Sequence, residues 1–326
     1  MSSTRPKVLH EICGKPLIGH LLNSIDPLSS LSKVIAVIGY REELVREELK
    51  GWDLEFALQE EQKGTAHALQ QARDRIESDH FLVFPGDLPL VKTSTIKRFI
   101  DFAEQGESGM SLLTVHRDNP DGYGRIKRNE DGTLMAIVED QDASTEEKEI
   151  KEVNTGVYRL PAEEALWQEL AALDSANAQG EFYLTDLVER FYSRGREITG
   201  KKAESTEEFL GVNTQQDLAL AGRVLNGRKI DSLLVKGVTI VDPETTKIHG
   251  EVEVGRDTVI EPFTSLKGRT KIGAGARIGP NSEIIDGRIG DGAEVVHSVV
   301  KGAIVDDNST VGPFQHINNS KDEDKR

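Results

Sequence analysis

Two regimes of apolar and polar patterning divide this chain, and they change over near residues 227–237. In the front part, short apolar runs alternate with longer charged or amphipathic stretches. Val34-Ile35-Ala36-Val37-Ile38 runs into Gly39, and Phe81-Leu82-Val83-Phe84 runs into Pro85-Gly86. Continuous apolar runs of this length, closed by strand breakers, predict fully buried strands of a parallel sheet. Further strands are expected at 54–58, 110–116, 134–139 and 153–158 and near Ile198. Between them the pattern predicts helices at 41–50, 64–76, 93–105, 144–150, 161–173, 181–193 and 214–226. Strand and helix in alternation argue for βαβ units with right-handed crossovers. Residues 1–212 are therefore read as an α/β, Rossmann-like domain with a mainly parallel sheet, followed by a linker helix at 213–236.

The second regime has a period of six. Val254, Ile260, Leu266, Ile272, Ile278 and Ile284 are in phase, with Gly at 255, 273 and 279 and Pro at 262 and 280. Ile289 and Val295 continue the series after a slip of one residue, and Val305 and Val311 follow further on. Neither a helix nor an alternating strand repeats at six; a hexapeptide β-helix does. Residues 237–315 are read as a short left-handed coil of this kind, and 316–326 as a polar, disordered tail.

Composition narrows the partners. The chain has 326 residues and a net charge of −16, which argues against nucleic acid and against an anionic membrane surface. Anionic substrates would need local help from Lys, Arg or a metal. Cys13 is the sole cysteine, so no intrachain disulfide can form, as suits a reducing cytoplasm. No apolar run reaches the length of a membrane span, and residues 1–7 have no apolar signal-peptide core.

Several residues invite chemistry, each with a plainer alternative. Asp87 follows the 81–84 strand at its carboxyl end, where α/β sheets place ligands. It suits a hard cation such as Mg²⁺, or a turn in which it bonds its own backbone. Lys7 is a phosphate clamp or a solvated lysine. Gly64-Thr65 opens a helix whose amides could face an anion or a base, with Thr65 otherwise an N-cap. Asn154, set among apolar residues, needs a partner in protein or ligand. Glu139 closes the apolar run 135–138. Asn213 is an N-cap or an oxygen donor to a metal.

Taken in order, PKVLHEICGKPLI, LQEEQKGTAHA, FLVFPGDLPL, DGYGRI, IVED, EVNTGVY, NAQGEFYLTDL, LGVNT and GVTIVDP closely resemble the bacterial N-acetylglucosamine-1-phosphate uridyltransferase (GlmU) family over nearly the whole chain. The resemblance implies the joining of UTP and N-acetylglucosamine 1-phosphate to give UDP-N-acetylglucosamine and pyrophosphate, with Mg²⁺ as cofactor. It implies Asp87 and Asn213 as Mg²⁺ ligands and Lys7 as a phosphate contact. Gln59, Gly64 and Thr65 would read the uracil edge. Gly124, Glu139 and Asn154 would hold the acetylated sugar, with Tyr183 lining that pocket and Pro85 and Gly86 among the substrate contacts. Homotrimer packing through the coil is a further expectation.

Two departures from the family pattern carry expectations of their own. The family opens on a strand and a glycine-rich phosphate-binding loop, L-A-A-G-x-G-T-R-M, whose last residue corresponds to Met1 here. It also carries further coils with an acetyltransferase site, so that activity is not expected from this chain. The alternatives are a nucleotidyltransferase for another sugar 1-phosphate, or a non-catalytic remnant that oligomerises through its coil.

Overall fold

The computed structural model describes residues 1, 3–106 and 109–318. They form two compact units: residues 1–10 with 17–214, and residues 11–16 with 215 onward.

The first unit is a layered α/β structure. Its strands are β1 (Ile35–Ile38), β2 (Glu55–Leu58), β3 (His80–Val83), β4 (Met110–His116), β5 (Arg125–Arg128), β6 (Leu134–Val138), β7 (Glu152–Pro161) and β8 (Ile198–Lys202). β1 and β2 pair in parallel as a two-stranded sheet. The others form a six-stranded sheet in which β7 runs antiparallel to β3, β4 and β5. β3, β4 and β5 therefore share one direction, and β8 joins them by pairing in parallel with β4.

Alternation along the strands sorts side chains to two faces. Met110, Leu112, Tyr158 and Leu160 pack with helices Thr65–Ala72, Glu164–Ala171 and Asp186–Ser193 on one face. Leu113, Val115, Val153 and Val157 pack with helices Leu17–Ile25 and Thr93–Gln105 on the other. Helices on both faces bury the sheet twice over, which is why its strands read as continuous apolar runs.

The strand expected to be fully buried, 81–84, is only half-buried. Among the described residues β3 pairs along one edge, with β7, so half its surroundings are not sheet.

The ladder between β4 and β7 is broken to good effect. Leu112 faces Tyr158 and Thr114 faces Asn154, so residues 155–157 stand opposite Leu113 alone. Such a bulge bends a strand and re-aims its side chains. Gly156 has a φ of +78° there, and an added Cβ would lie 2.5 Å from Pro85 Cγ. Glycine is needed on both counts.

The second unit is a coil of short parallel strands in three sheets. Register partners stand twenty residues apart at Ile240↔Ile260, eighteen at Ile248↔Leu266 and Leu266↔Ile284, seventeen at Ile272↔Ile289, and sixteen at Ile284↔Val300 and Ile289↔Val305. The in-phase apolar residues stack as the core, with Ile260, Leu266, Ile278 and Ile284 fully buried. Corners carry Asp257, Phe263, Asn281, Asp286, His297, Asn308 and Phe314 at positive φ. His316–Asn318, expected in the tail, instead pairs in parallel with Val299–Lys301. The rest of the expected disordered tail, 319–326, lies outside the described residues.

The helix expected as a linker spans Gln215–Val235. Ile230 and Leu233 belong to the coil's apolar core. Asn226 Nδ2 donates to the Thr246 carbonyl at 3.0 Å, and its Oδ1 accepts from Ile248 N at 2.8 Å. The helix thus closes the open end of the coil, where backbone groups would otherwise lack partners. The hairpin Glu11–Ile12/Lys15–Pro16 joins this unit, with Lys15 Nζ 2.7 Å from Glu251 Oε1.

Candidate active site

Three residues far apart in sequence meet at one point. Lys7 opens a single 3-10 turn, Lys7–Leu9, behind Pro6. Its Nζ donates to Asp87 Oδ2 at 2.5 Å and to Asn213 Oδ1 at 2.8 Å. Asp87 lies in the turn after β3, and its carbonyl accepts from Val212 N at 3.1 Å. That backbone bond sets Asn213 beside Asp87. The helix begins only at Gln215, so Asn213 is not its cap. Gly86 packs close to Val8, with a built Cβ 3.2 Å from Val8 Cγ1.

A second cluster surrounds the helix Thr65–Ala72. Gly64 has a φ of +106°, and an added Cβ would stand 2.6 Å from the Phe182 carbonyl oxygen. The segment pairs with 182–184: Phe182 N donates to Lys63 O, Ala66 N to Phe182 O, and Leu184 N to Thr65 Oγ1. Gly64, not Thr65, is the cap residue, so the Thr65 hydroxyl ties two segments together instead. Gln59 is buried, and its Nε2 donates to Gly64 O at 3.1 Å while also meeting His67 Nδ1 at 2.9 Å. His67 was not foreseen; its place two residues after Thr65 in the helix was the available signal.

The third cluster is acidic and half-closed. Asn154 Nδ2 donates to the Tyr158 hydroxyl at 2.6 Å, and Asn154 Oδ1 accepts from Gly156 N at 3.0 Å. Asn154 N donates to Gly124 O at 2.8 Å. A Cβ on Gly124 would lie 3.5 Å from both carboxylate oxygens of Glu139, so the two residues face each other in contact. Burial pushes the Glu139 carboxyl up, against a hydrogen bond donated by Thr185 Oγ1 at 2.9 Å that lowers it; Asp142 and Asp140 add to the rise. Asp186 is pushed up to about 6 by burial, then by Glu139 and other acids. Tyr183 is buried nearby and its phenol is raised by burial and the same acids. Sequence reasoning missed Thr185 and the ion pair between buried Arg125 and half-exposed Asp140, because a single threonine or arginine in a motif gives no periodic signal.

The residues present fit a divalent metal. Two oxygen donors, Asp87 and Asn213, converge on one cationic group, the Lys7 ammonium, which stands in for such an ion. Among the described residues no three His, Cys, Asp or Glu side chains form a closed cage. One carboxylate plus one neutral oxygen suits an ion that completes its shell with phosphates and water.

A layered α/β sheet with a carboxylate after a strand's carboxyl end and a lysine and an amide beside it, in a chain that also forms a hexapeptide coil, is the arrangement of a nucleotidyltransferase. Residues 1–203 match the family Nucleotidyl transferase, and residues 251–286 match Bacterial transferase hexapeptide (six repeats). The chain is 41% identical over 318 residues to the Bifunctional protein GlmU of Caldanaerobacter subterraneus subsp. tengcongensis, covering 97% of this chain and 69% of the relative. It is 42% identical over 319 residues to that of Geobacillus sp., with the same coverage. The chain belongs to the GlmU family. Among solved structures, a putative glucose-1-phosphate thymidylyltransferase from Bacillus anthracis shares the fold, with a TM-score of 0.54 at 19% identity over 68% of this chain and 88% of its own.

Proposed function

We propose that the chain transfers the uridylyl group of UTP to N-acetylglucosamine 1-phosphate, releasing pyrophosphate and supplying UDP-N-acetylglucosamine for cell-wall synthesis. The observation that carries this reading is the meeting of Lys7, Asp87 and Asn213 in a chain of this family. An oxygen of the sugar phosphate attacks the α-phosphorus of UTP in line; the new P–O bond forms as the bond to pyrophosphate breaks. Such transfers rest on positioning and charge stabilisation rather than on a side-chain nucleophile.

Asp87 and Asn213 would hold Mg²⁺, which when bound neutralises charge on the phosphates. Lys7 then holds phosphate oxygens. Gln59, Gly64 and Thr65 read the uracil edge. Gly124, Glu139 and Asn154 hold the sugar, Tyr183 lines its pocket, and Pro85 and Gly86 border the phosphates. In this reading residues 1–10 and 17–214 are the transferase domain, and the helix Gln215–Val235 caps a coil that runs through Asn318. The coil supports a homotrimer, which light scattering would test. Among the described residues no helix is long and apolar enough to cross a membrane. The lone Cys13 supports a reducing cytoplasm.

Pyrophosphate release tests the reading, with UTP against dTTP and with N-acetylglucosamine 1-phosphate against other sugar 1-phosphates. Preference for a different pair would overturn it, and no release with any pair would favour a purely structural chain.

A further inference from the structure

The hairpin of β5 and β6 carries Gly124 just before its first strand and Glu139 just after its second, with Arg125 opposite Val138 in register. Arg125 is fully buried. Its NH2 donates to Asp140 Oδ1 at 2.8 Å, and its NH1 donates to the Tyr123 carbonyl. The two anchor points are therefore the immediate neighbours of Gly124 and Glu139, one on each side of the gap between them.

Stability does not account for this arrangement. Taking a guanidinium out of water costs several kcal/mol, and an apolar pair of similar volume is often as stable or more so. Among the described residues Arg125 Nε has no hydrogen-bond partner, a further cost. What the planar fork adds is geometry: one rigid group holds two acceptors at a fixed separation. Other bonds fasten the same residues from outside. Asp142 N donates to Glu139 O at 3.0 Å and Asn154 N to Gly124 O at 2.8 Å. None of these crosses from the Gly124 side of the hairpin to the Glu139 side.

We propose that the pair of buried Arg125 and half-exposed Asp140 is a positioning device that sets the spacing between the Gly124 backbone and the Glu139 carboxylate, and so governs recognition of the sugar 1-phosphate. This rests on the reading of Gly124 and Glu139 as sugar contacts. Arg125 and Asp140 would act through Gly124 and Glu139 and not on the substrate itself.

The test compares Arg125→Lys, Asp140→Asn, the double variant Arg125→Met/Asp140→Leu and the control Glu139→Gln. For each, KM for both substrates, kcat and Tm are measured, with pyrophosphate release as the readout. Arg125→Lys keeps the charge and loses the fork. The double variant removes both charges together and leaves no unpaired charge behind, so its Tm can match the parent's. Both are expected to raise KM for N-acetylglucosamine 1-phosphate about tenfold or more, since displaced sugar contacts weaken ground-state and transition-state binding alike. KM for UTP and kcat at saturation should stay near the parent's. Asp140→Asn, which keeps an acceptor oxygen, should recover most of the loss.

An unchanged KM for the sugar phosphate in any folded Arg125 variant overturns the proposal. So does a uniform decline of every parameter with Tm, the mark of a merely structural pair. If the double variant does not fold, Arg125→Lys decides alone. Glu139→Gln separates the underlying reading: if it leaves the sugar-phosphate KM unchanged, Glu139 is not a sugar contact and the proposal falls with that assignment. If Glu139→Gln raises that KM while the Arg125 variants do not, the site stands and the positioning pair fails.

Discussion

Asp87 owes its position to a strand end, a turn and one backbone bond to Val212. Replacing it with Asn keeps the shape and removes the negative charge opposite Lys7. Asp87→Asn is expected to lower kcat by about a hundredfold or more, on the scale of losing one electrostatic contact in a transition state. Circular dichroism should show an unchanged fold. Asp186 gives a pH test. Its carboxyl is raised to about 6 by burial and neighbouring acids, even though it opens a helix whose N-terminus favours a negative charge. Because the folded value lies above the unfolded one, the folded state gains from the protonated form. That stability is full below the ordinary aspartate range and is lost as pH rises through about 6. Asp186→Asn should therefore raise Tm at pH 7.5 and leave it little changed at pH 4, as followed by thermal melting. Sequence showed that Asp87, Glu139 and Asn154 were odd residues at their sites. It did not show their partners, because Lys7, Thr185 and Tyr158 reach them by chain folding; only Tyr158 is local, four residues on.

At the element scale, helix Thr65–Ala72 and the bulge in β7 shape the site more than any single side chain. Gly64 starts that helix at a φ of +106° with the Phe182 backbone against it. Gly64→Ala is expected to raise KM for UTP about tenfold while KM for the sugar phosphate stays near the parent's; the cost is backbone strain of order 1–3 kcal/mol. Steady-state kinetics with each substrate varied would check it, and equal effects on both KM values would count against a uracil-reading loop. The helices and strands of this unit follow the periodicity closely: the strand expected at 110–116 is Met110–His116 and the helix expected at 93–105 is Thr93–Gln105. The bulge was only partly legible. The one cue in EVNTGVY is Gly156, since a glycine inside a strand often marks a bulge; its size, three residues opposite one, is decided by the close approach of Pro85 to Gly156.

For the whole molecule, the two units depend on different chemistry, and their stability should respond separately. Ile284 is fully buried in the coil core. Ile284→Ala is expected to destabilise the coil by about 2–5 kcal/mol, lowering its calorimetric transition, while uridylyl transfer at 25 °C stays near the parent's. Loss of transfer in step with the coil would show that the first unit cannot stand without it. The sequence by itself determined the class of each unit. Apolar runs separated by amphipathic stretches can be satisfied only by a sheet covered on both faces. A six-residue apolar period can be satisfied only by stacked coils, since each repeat must bury its apolar residue against the next. Only the tertiary structure decided the rest. It gave helix Gln215–Val235 to the coil as a cap, because Asn226 and Ile230 find their partners there. It extended the coil through His316–Asn318, because a polar segment can still complete a backbone ladder. It also brought Lys7, Asp87 and Asn213 into hydrogen-bond contact, because contacts between residues 80 and 206 positions apart leave no local pattern for a sequence to display.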